Sequence, residues 1–507
     1  MKLLLRSGIR AAIATVAVGS VAVVPLKAQP ISLCEDRLSQ AIDAVRRRHS
    51  PHASWGILIE PLASNRPIYS ENAQQYLLPA SNAKLLTTAA ALQRLGGNYR
   101  VRTSVYITEA TPTGNRRKET QDLGQELHVI GRGDPSLTED SLMQLARQVA
   151  DAGVESVDRL VLHDSDFGGD AINPNWDWED VRAGYGAPVN SAIVDRNEIP
   201  FMLHPRGLGQ PLRVEWERSR DRGIWTLDNR SRTVSPDTPE WLSVGRDFHS
   251  RTIHIEGQLI EGSPAEPVSV AVVDPATVFL QQFRQALAAN QIAVGESVVV
   301  EEPMRVRGRE IAALRSPTVA ELVDRVNGVS DNLYAEVLLR WLGTTAPNDG
   351  TSAARRGLQV VEDTLASLGV APDSYVLNDG SGLSRLNWVS PEALVDTLQA
   401  MARSPYADLY RRSLPVAGES GTLRSRLLES PAVIYAKTGT LTGVSALSGY
   451  LDRPSYGTLV FSIIVNNSDE TTVRARSHID EILLLLARSR PCLESNDKSA
   501  IEASIDP

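Results

Sequence analysis

Apolar residues recur at helical spacing near both ends of the 507-residue chain. Residues 35–49 and 473–487 carry apolar side chains every three or four positions, which predicts two amphipathic helices. Short apolar runs bounded by turn residues predict strands. These runs lie at residues 54–62, 432–436, 443–451 and 458–465. The two ends of the chain are therefore predicted to build one sheet with helices packed against it.

The middle of the chain has a different pattern, in which short β-like runs alternate with Gly, Pro, Asn and Asp. These runs lie at residues 99–107, 126–130, 159–163 and 252–260. One helix is predicted, at residues 139–152. We interpret residues 98–274 as one or two inserted β-rich domains. Residues 29–97 and 275–492 then form the second unit of the chain.

The first 28 residues have the layout of an export signal. Three basic residues precede or flank an apolar stretch from Ala11 to Val24, which is short for a membrane span of about 20 residues. A signal peptide over residues 1–28 predicts a protein exported to the periplasm or another extracytoplasmic space. An uncleaved anchor, leaving the protein loosely associated with the membrane, is the alternative.

The composition of the chain indicates which kinds of molecule it is suited to bind. A hydrophobic content of 42% and a charged content of 22% are typical of soluble globular proteins. A net charge of -9 disfavours nucleic acid, whose binding depends on Lys and Arg neutralising phosphates. In an oxidising compartment the two cysteines, Cys34 and Cys492, could form a disulfide or could remain two free thiols. The polar residues 493–507 are predicted to be a disordered tail.

Ser81-Asn82-Ala83-Lys84 is the first stretch that suggests chemistry. Apolar residues continue after it at helical spacing, so Ser81 is predicted to open a helix, with Lys84 one turn later on the same side. A helix N-terminus favours negative charge on the serine oxygen, and a desolvated Lys can lose its proton and act as a base. By itself the stretch could equally be an N-cap serine followed by a solvated lysine.

Two further stretches follow in order. Ser330-Asp331-Asn332 lies between apolar-periodic segments and is predicted to be a turn between two helices. There Ser330 could relay a proton to a leaving amine and Asn332 could bind a substrate amide and Lys84. In isolation, Ser330-Asp331-Asn332 also fits an ordinary turn or helix cap.

The third stretch is Lys437-Thr438-Gly439-Thr440, which is predicted to end an edge strand over residues 433–436. Lys437 with Thr438 or Thr440 could hold a carboxylate, and Gly439 leaves room for a substrate backbone. The backbone N–H near Thr440, with that of Ser81, could form an oxyanion hole. In isolation this stretch is simply a strand end with a solvated lysine.

The S-x-x-K, S-x-N and K-T-G boxes in this order are those of penicillin-recognising serine enzymes and indicate acyl transfer. Competing chemistries lack their motifs. The eight histidines include no H-E-x-x-H, and the chain has no G-x-S-x-G or G-x-x-x-x-G-K-[ST] sequence. We therefore predict no metal and no organic cofactor.

The chain resembles the class C low-molecular-mass penicillin-binding proteins, the D-alanyl-D-alanine carboxypeptidase/endopeptidases of the DacB type. Besides the boxes, five strings carry the resemblance. They are GRGDPSL at 131–137, NWDWED at 175–180, SAIVDRNE at 191–198, NDGSGLSR at 378–385 and LPVAGESGTL at 414–423. The resemblance implies an α/β transpeptidase-like domain, with an antiparallel sheet flanked by helices and a helical subdomain, carrying inserted β-rich domains II and III.

The resemblance also implies roles for individual residues. Ser81 would be the acylated nucleophile and Lys84 its base, with Ser330 and Asn332 as partners. The residues at the substrate would be Lys437, Thr438, Gly439 and Thr440, with Asp180 facing the amino group of a diamino acid side chain and Arg385 near the cleft. An ordinary loop carboxylate and a structural ion pair are the alternatives for Asp180 and Arg385.

The expected substrates are peptidoglycan stem peptides, with β-lactams as inhibitors. Two alternatives stay open: a peptidoglycan-binding scaffold or β-lactam sensor without turnover, and a serine β-lactamase.

Overall fold

The structure is a computed structural model, and it describes residues 35–49, 51–64, 66–109, 124–303, 305–453 and 457–490. The predicted signal peptide, both cysteines and the predicted tail lie outside these residues. Within them, no helix is both long enough and apolar enough to cross a bilayer.

The described helices are α1 (Glu35–Arg48), α2 (Ala83–Leu95), α3 (Glu139–Asp151), α4 (Pro275–Ala289), α5 (Val319–Gly328), α6 (Asn332–Thr344), α7 (Ala353–Ser367), α8 (Pro391–Ala402), α9 (Ala407–Arg412) and α10 (Thr472–Arg488). The strands are β1 (Ser54–Pro61), β2 (Tyr69–Glu71), β3 (Arg102–Glu109), β4 (Gln125–Ile130), β5 (Ser156–His163), β6 (Glu198–His204), β7 (Arg213–Trp216), β8 (Thr226–Asn229), β9 (Arg232–Val234), β10 (Trp241–Arg246), β11 (Thr252–Ile260), β12 (Glu266–Ala271), β13 (Ala293–Val300), β14 (Arg309–Arg315), β15 (Tyr375–Val376), β16 (Trp388–Val389), β17 (Val433–Leu441), β18 (Val444–Arg453) and β19 (Gly457–Asn466).

One antiparallel sheet joins the two ends of the chain, as the sequence predicts. Its strand order is β17-β18-β19-β1-β2, and Ile57 of β1 lies opposite Ile463 of β19. Side chains of a strand alternate between the two faces of a sheet, and both faces of this one are covered by helices. α1 and α10 contribute Leu38 and Ile479 to the core on one face.

The other face of this sheet packs on α2 and α8. Leu58 of β1 and Ile464 of β19 share a core with Leu86 and Leu394, and all four are at most 5% exposed. Complete burial of such a side chain stabilises the fold by about 1.5–3 kcal/mol. α2 runs through the middle of the helical subdomain, against α5, α6 and α7. The predicted α/β class, with a sheet flanked by helices, is confirmed.

The middle of the chain is β-rich, as predicted, and forms several further sheets. The largest has the order β13-β5-β4-β3-β14, with α3 and α4 packed against it. β13 pairs in parallel with β5, and β14 pairs with β3, so this sheet continues past the predicted boundary at residue 274. Asp274 caps α4 and Pro275 begins it, but α4 buries Phe279 and Phe283 in the core of this sheet.

The predicted boundary at 274 is therefore wrong, because α4, β13 and β14 belong to the inserted sheet and its core. We place the insert at residues 98–315 and call the described residues on either side of it the terminal unit. A second part of the insert is made of the sheet β12-β6-β7 and the sheet formed by β8 to β11, which enclose a shared core that includes Phe201 and Ile255.

Candidate active site

Ser81 lies in a short 3-10 turn, Ala80–Asn82, directly before α2. The α-helix proper begins at Ala83, so Ser81 precedes the helix that the sequence expects it to open. Ala80 has a left-handed φ of 47°. A Cβ at Gly382 would lie 1.9 Å from the Ala80 carbonyl oxygen, so a glycine is needed where this segment passes the turn. The Asn82 Nδ2 donates to Ser448 Oγ at 2.7 Å and fixes the turn to the sheet.

Lys84 is the centre of the polar cluster. Its side chain is fully buried, and its Nζ donates to Ser81 Oγ at 2.8 Å, Asn332 Oδ1 at 2.7 Å and the Ser381 carbonyl at 2.5 Å. These three bonds use every proton of the ammonium group. The bonds to Asn332 and to the Ser381 carbonyl therefore hold the Lys84 amine in place beside the Ser81 oxygen.

Burial lowers the pKa of Lys84 to about 8, because desolvation penalises the charged form. The carboxylates of Asp379 and Glu336 act in the opposite direction. Near pH 8 and above, a substantial part of this lysine is therefore neutral and able to accept a proton.

Ser330 and Lys437 form a second pair beside the first. Ser330 lies between α5 and α6 with a left-handed φ of 66°, and Lys437 Nζ donates to its Oγ at 2.8 Å. Lys437 is also fully buried, and desolvation together with the charge of Lys84 holds its pKa well below the usual value. Asp331 caps α6 by accepting from the Tyr334 N–H, which places Asn332 on the first turn of that helix.

The K-T-G box lies inside β17, whereas the sequence predicts that the strand ends at Ala436. The ladder continues because Lys437 pairs with Ser448 and Thr440 pairs with Ser445. β17 is an edge strand of the sheet, as expected. A Cβ at Gly439 would meet the Pro79 carbonyl oxygen at 2.6 Å, so glycine lets this strand pass the Ser81 turn.

The hydroxyl groups of this strand already have partners. Thr438 Oγ1 donates to Thr422 Oγ1 at 2.8 Å, and Arg476 Nη2 of α10 donates to Thr440 Oγ1 at 2.7 Å. Thr440 therefore has a guanidinium group next to it, which the sequence reasoning did not anticipate.

A cavity of about 730 Å³ opens above these groups. Of the predicted residues, those in its wall are Ser81, Ser330, Asn332, Thr440, Asp180 and Arg385. Lys84, Lys437 and Thr438 lie buried behind the wall. The structure thus brings residues of all three boxes together, with Asp180 and Arg385 at the same cavity.

Asp180 and Arg385 have partners of their own. Asp180 accepts a hydrogen bond from the Tyr185 hydroxyl at 2.8 Å, and burial raises the pKa of this carboxyl group. Arg385 Nε donates to Asp177 Oδ2 at 3.1 Å, and its Nη2 donates to the Thr442 carbonyl at 3.3 Å. Both charged groups are thus held in position at the cavity wall.

Three residues that support Lys84 were not found by sequence reasoning: Glu336, Asp379 and Ser381. Buried Glu336 accepts from the backbone N–H groups of Gly380 and Ser381 at 2.8 and 2.9 Å and so fixes the carbonyl that Lys84 contacts. Buried Asp379 accepts from the Trp176 indole at 2.9 Å. The sequence contains part of this information, since Asp379 and Ser381 belong to the same string, NDGSGLSR, as the predicted site residue Arg385.

Comparison with known proteins agrees with this geometry. The model described as "D-Ala-D-Ala carboxypeptidase 3 (S13) family" matches residues 38–486. The chain belongs to this S13 family. The predicted resemblance and the enzyme class, a serine-type D-Ala-D-Ala carboxypeptidase, are confirmed.

Two known proteins illustrate the relationship of this S13 chain. A D-alanyl-D-alanine carboxypeptidase of Actinomadura sp. (strain R39) is 36% identical over 81% of this chain and 77% of that protein. Penicillin-binding protein 4 (dacB) of Haemophilus influenzae has the same fold, with a TM-score of 0.72 and 23% identity over 88% of this chain and 98% of that one. A structure of the same protein complexed with a β-lactam matches with a TM-score of 0.67, 22% identity and coverage of 87% and 98%.

Proposed function

We propose that this S13 enzyme is exported, and that it cleaves D-alanyl-D-alanine ends and cross-links of peptidoglycan stem peptides through an acyl-enzyme on Ser81. The observation that carries the proposal is the 2.8 Å contact from Lys84 Nζ to Ser81 Oγ, made by a lysine whose pKa is lowered to about 8. A serine oxygen is a weak nucleophile unless such a base removes its proton.

In this mechanism neutral Lys84 takes the Ser81 proton while Oγ attacks the D-alanyl carbonyl carbon. Ser330, which lines the same cavity and accepts from Lys437, relays a proton from the lysine pair to the leaving amine as the peptide bond breaks, so that the proton lost by Ser81 leaves with the amine. Water then attacks the ester, and Lys84 takes a proton from this water and gives it to Ser81 Oγ as the ester bond breaks. The N–H groups of Ser81 and Thr440 would stabilise the oxyanion in both steps.

The ends of the substrate would be held by separate groups. Thr440, in the cavity wall, suits the carboxylate of the terminal D-alanine, with Lys437 and Thr438 of the same strand buried behind it, and Gly439 allows an extended peptide to lie along the edge strand β17. Asp180 and Arg385, at the cavity wall, suit the ammonium and carboxylate groups of a diamino acid side chain. Asn332 suits the substrate amide, since its side chain already joins Lys84 to the Tyr185 carbonyl.

β-Lactams should acylate the same serine, because their strained amide resembles the D-alanyl peptide bond. The decisive experiment is intact mass spectrometry after brief exposure to benzylpenicillin, with peptide mapping and with Ser81→Ala as the matched control. We expect a lasting adduct on Ser81 and release of D-alanine from a stem peptide by the unmodified enzyme.

Other outcomes would separate the alternatives. Rapid loss of the adduct with antibiotic hydrolysis would show a β-lactamase. A stable adduct without D-alanine release would show a sensor or scaffold. Full D-alanine release by Ser81→Ala would rule out the mechanism.

A further inference from the structure

A compact cluster of His49, Glu470 and His478 lies outside the catalytic machinery. His49 directly follows α1, Glu470 lies in the loop between β19 and α10, and His478 lies on α10. The cluster therefore joins the first and last described helices and the segment that links α10 to the sheet.

The ligand atoms of the cluster converge. His49 Nδ1 lies 2.6 Å from Glu470 Oε2, and His478 Nε2 lies 3.4 Å from the same oxygen. The three residues each offer one ligand atom within 4.8 Å of the other two. The exposed fractions of the three side chains are 0%, 15% and 13% for His49, Glu470 and His478. Solvent therefore has little access to the point on which they converge.

The same three atoms lack well-formed hydrogen bonds. His49 Nδ1, Glu470 Oε2 and His478 Nε2 are all buried without a hydrogen-bond partner of normal geometry, although they are close enough for ion pairing. Buried polar atoms are almost always satisfied, and each unsatisfied one destabilises the fold. One cation between the three atoms would satisfy all of them at once.

We propose that His49, Glu470 and His478 bind one Zn²⁺ ion, with water at the fourth position. Two imidazoles and one carboxylate suit Zn²⁺, whereas Mg²⁺ and Ca²⁺ require mainly oxygen ligands. Tetrahedral Zn²⁺ with bonds of about 2.0–2.1 Å separates its ligand atoms by about 3.4 Å. His478 and Glu470 already have this separation, and His49 needs to move from Glu470 by less than about 1 Å.

The surroundings support ligand positioning. Arg474 Nε lies 3.5 Å from Oε1 of Glu470, the carboxylate oxygen not directed at the cluster. The other ring nitrogen of His49, Nε2, lies 3.4 Å from Ser468 Oγ, and the Trp55 ring packs edge-on against the imidazole at 5.2 Å. Outer contacts of this kind orient metal ligands.

The site would act on the catalytic cavity by position and not by chemistry. Residues 468–472, including Glu470, form part of the cavity wall. A bound ion would fix this segment to α1 and α10, and it would contact neither Ser81 nor Lys84.

The test uses the full, untagged chain after chelator treatment and dialysis. Zinc is titrated against a chromophoric chelator, and X-ray absorption of the loaded protein identifies the ligand atoms. We expect one Zn²⁺ per chain with two imidazole ligands and an oxygen shell. His478→Ala should weaken binding at least about 100-fold, since a direct ligand matters more than the outer contacts that change affinity 10–100-fold.

The matched control is His204→Ala, which removes another histidine near a glutamate, Glu215 at 3.2 Å in the insert. It should bind zinc like the unmodified chain. Zinc should raise the melting temperature of the unmodified chain and of this control, but not of His478→Ala.

Three results would overturn the proposal. They are a folded, unmodified chain that binds no zinc, sulfur ligands in the absorption spectrum, and equal binding by a folded His478→Ala variant. Should that variant fail to fold, the ligand count from the unmodified chain decides.

Discussion

The charged groups around the active site, in the terminal unit, and the exposed ion pairs of the insert lie in different surroundings. Around the active site, Lys84, Lys437, Glu336 and Arg340 are at most 3% exposed and belong to one buried region. In the insert, ion pairs such as Arg213 with Glu215 lie at the surface, where each side chain is about half exposed. Buried charge is costly but shifts pKa values, whereas exposed pairs contribute little. The active site thus uses burial to prepare its lysines for catalysis, whereas an exposed ion pair such as Arg213 with Glu215 contributes little to stability.

The largest effect is expected for Lys84→Met, which keeps the volume of the side chain but removes the base. Acylation by benzylpenicillin should fall by about 10²–10⁴-fold, the usual contribution of a general base. Stopped-flow or quenched mass spectrometry would measure it. Arg230→Ala, at an exposed pair of the insert, should leave the rate unchanged. If Lys84→Met retained more than a tenth of the acylation rate, the buried lysine would not be the base that the active site depends on.

Glu336→Gln tests the difference between buried and exposed ion pairs through the stability of the protein. Glu336 Oε2 accepts from Arg340 Nη1 at 2.9 Å, and both side chains are at most 4% exposed. Loss of one partner leaves a buried charge unpaired, so the free energy of unfolding should fall by about 3–5 kcal/mol. Urea denaturation measures the change. Glu215→Gln in the insert is the control and should unfold at the same urea concentration as the unmodified protein.

The pH dependence of the acylation rate is a further test of how burial affects the active site. It should follow the protonation of one buried group, Lys84. With a pKa of about 8, Lys84 is protonated below that pH and inactive as a base. The acylation rate should therefore rise about 50-fold from pH 6 to pH 8 and level off above it. Rates with benzylpenicillin between pH 6 and 10 provide the check. A flat profile would mean that Lys84 is not the base.

The smallest effect is expected for Gly439→Ala. Its Cβ would lie 2.6 Å from the Pro79 carbonyl oxygen, so β17 and the Ser81 turn must separate slightly. Acylation should slow about tenfold, since a misplacement of 1 Å costs about 100-fold. Gly207→Ala in the insert, where the nearest atom is 3.7 Å away, should have no effect. Equal rates for both variants would show that the close approach does not position Ser81.

Sequence reasoning worked where the chemistry is local and failed where it depends on distant contacts. Ser81 and Lys84 are three positions apart, so their contact follows from one helical turn. Glu336 lies within an apolar helix, and nothing near it in sequence indicates that it binds the backbone of residues 380 and 381. The end of the insert was misplaced because β13 and β14 pair with strands far earlier in the chain.

The same limit explains the missed cluster. His49 and Glu470 lie at opposite ends of the sequence, and no short motif joins them. The expectation of no metal was drawn from motifs such as H-E-x-x-H, which detect only ligands that are neighbours in sequence.

The pairing of the first strand, β1, with the last, β19, has a consequence for biosynthesis. A nascent chain that has emerged only as far as the insert carries Ser81 and Lys84 but has neither β17 nor the strands that position it. Its insert can fold earlier, since domains fold as units and in order of synthesis. We therefore expect a chain that is still being made to be catalytically silent. It should become active only when its carboxyl-terminal strands have been added to the sheet.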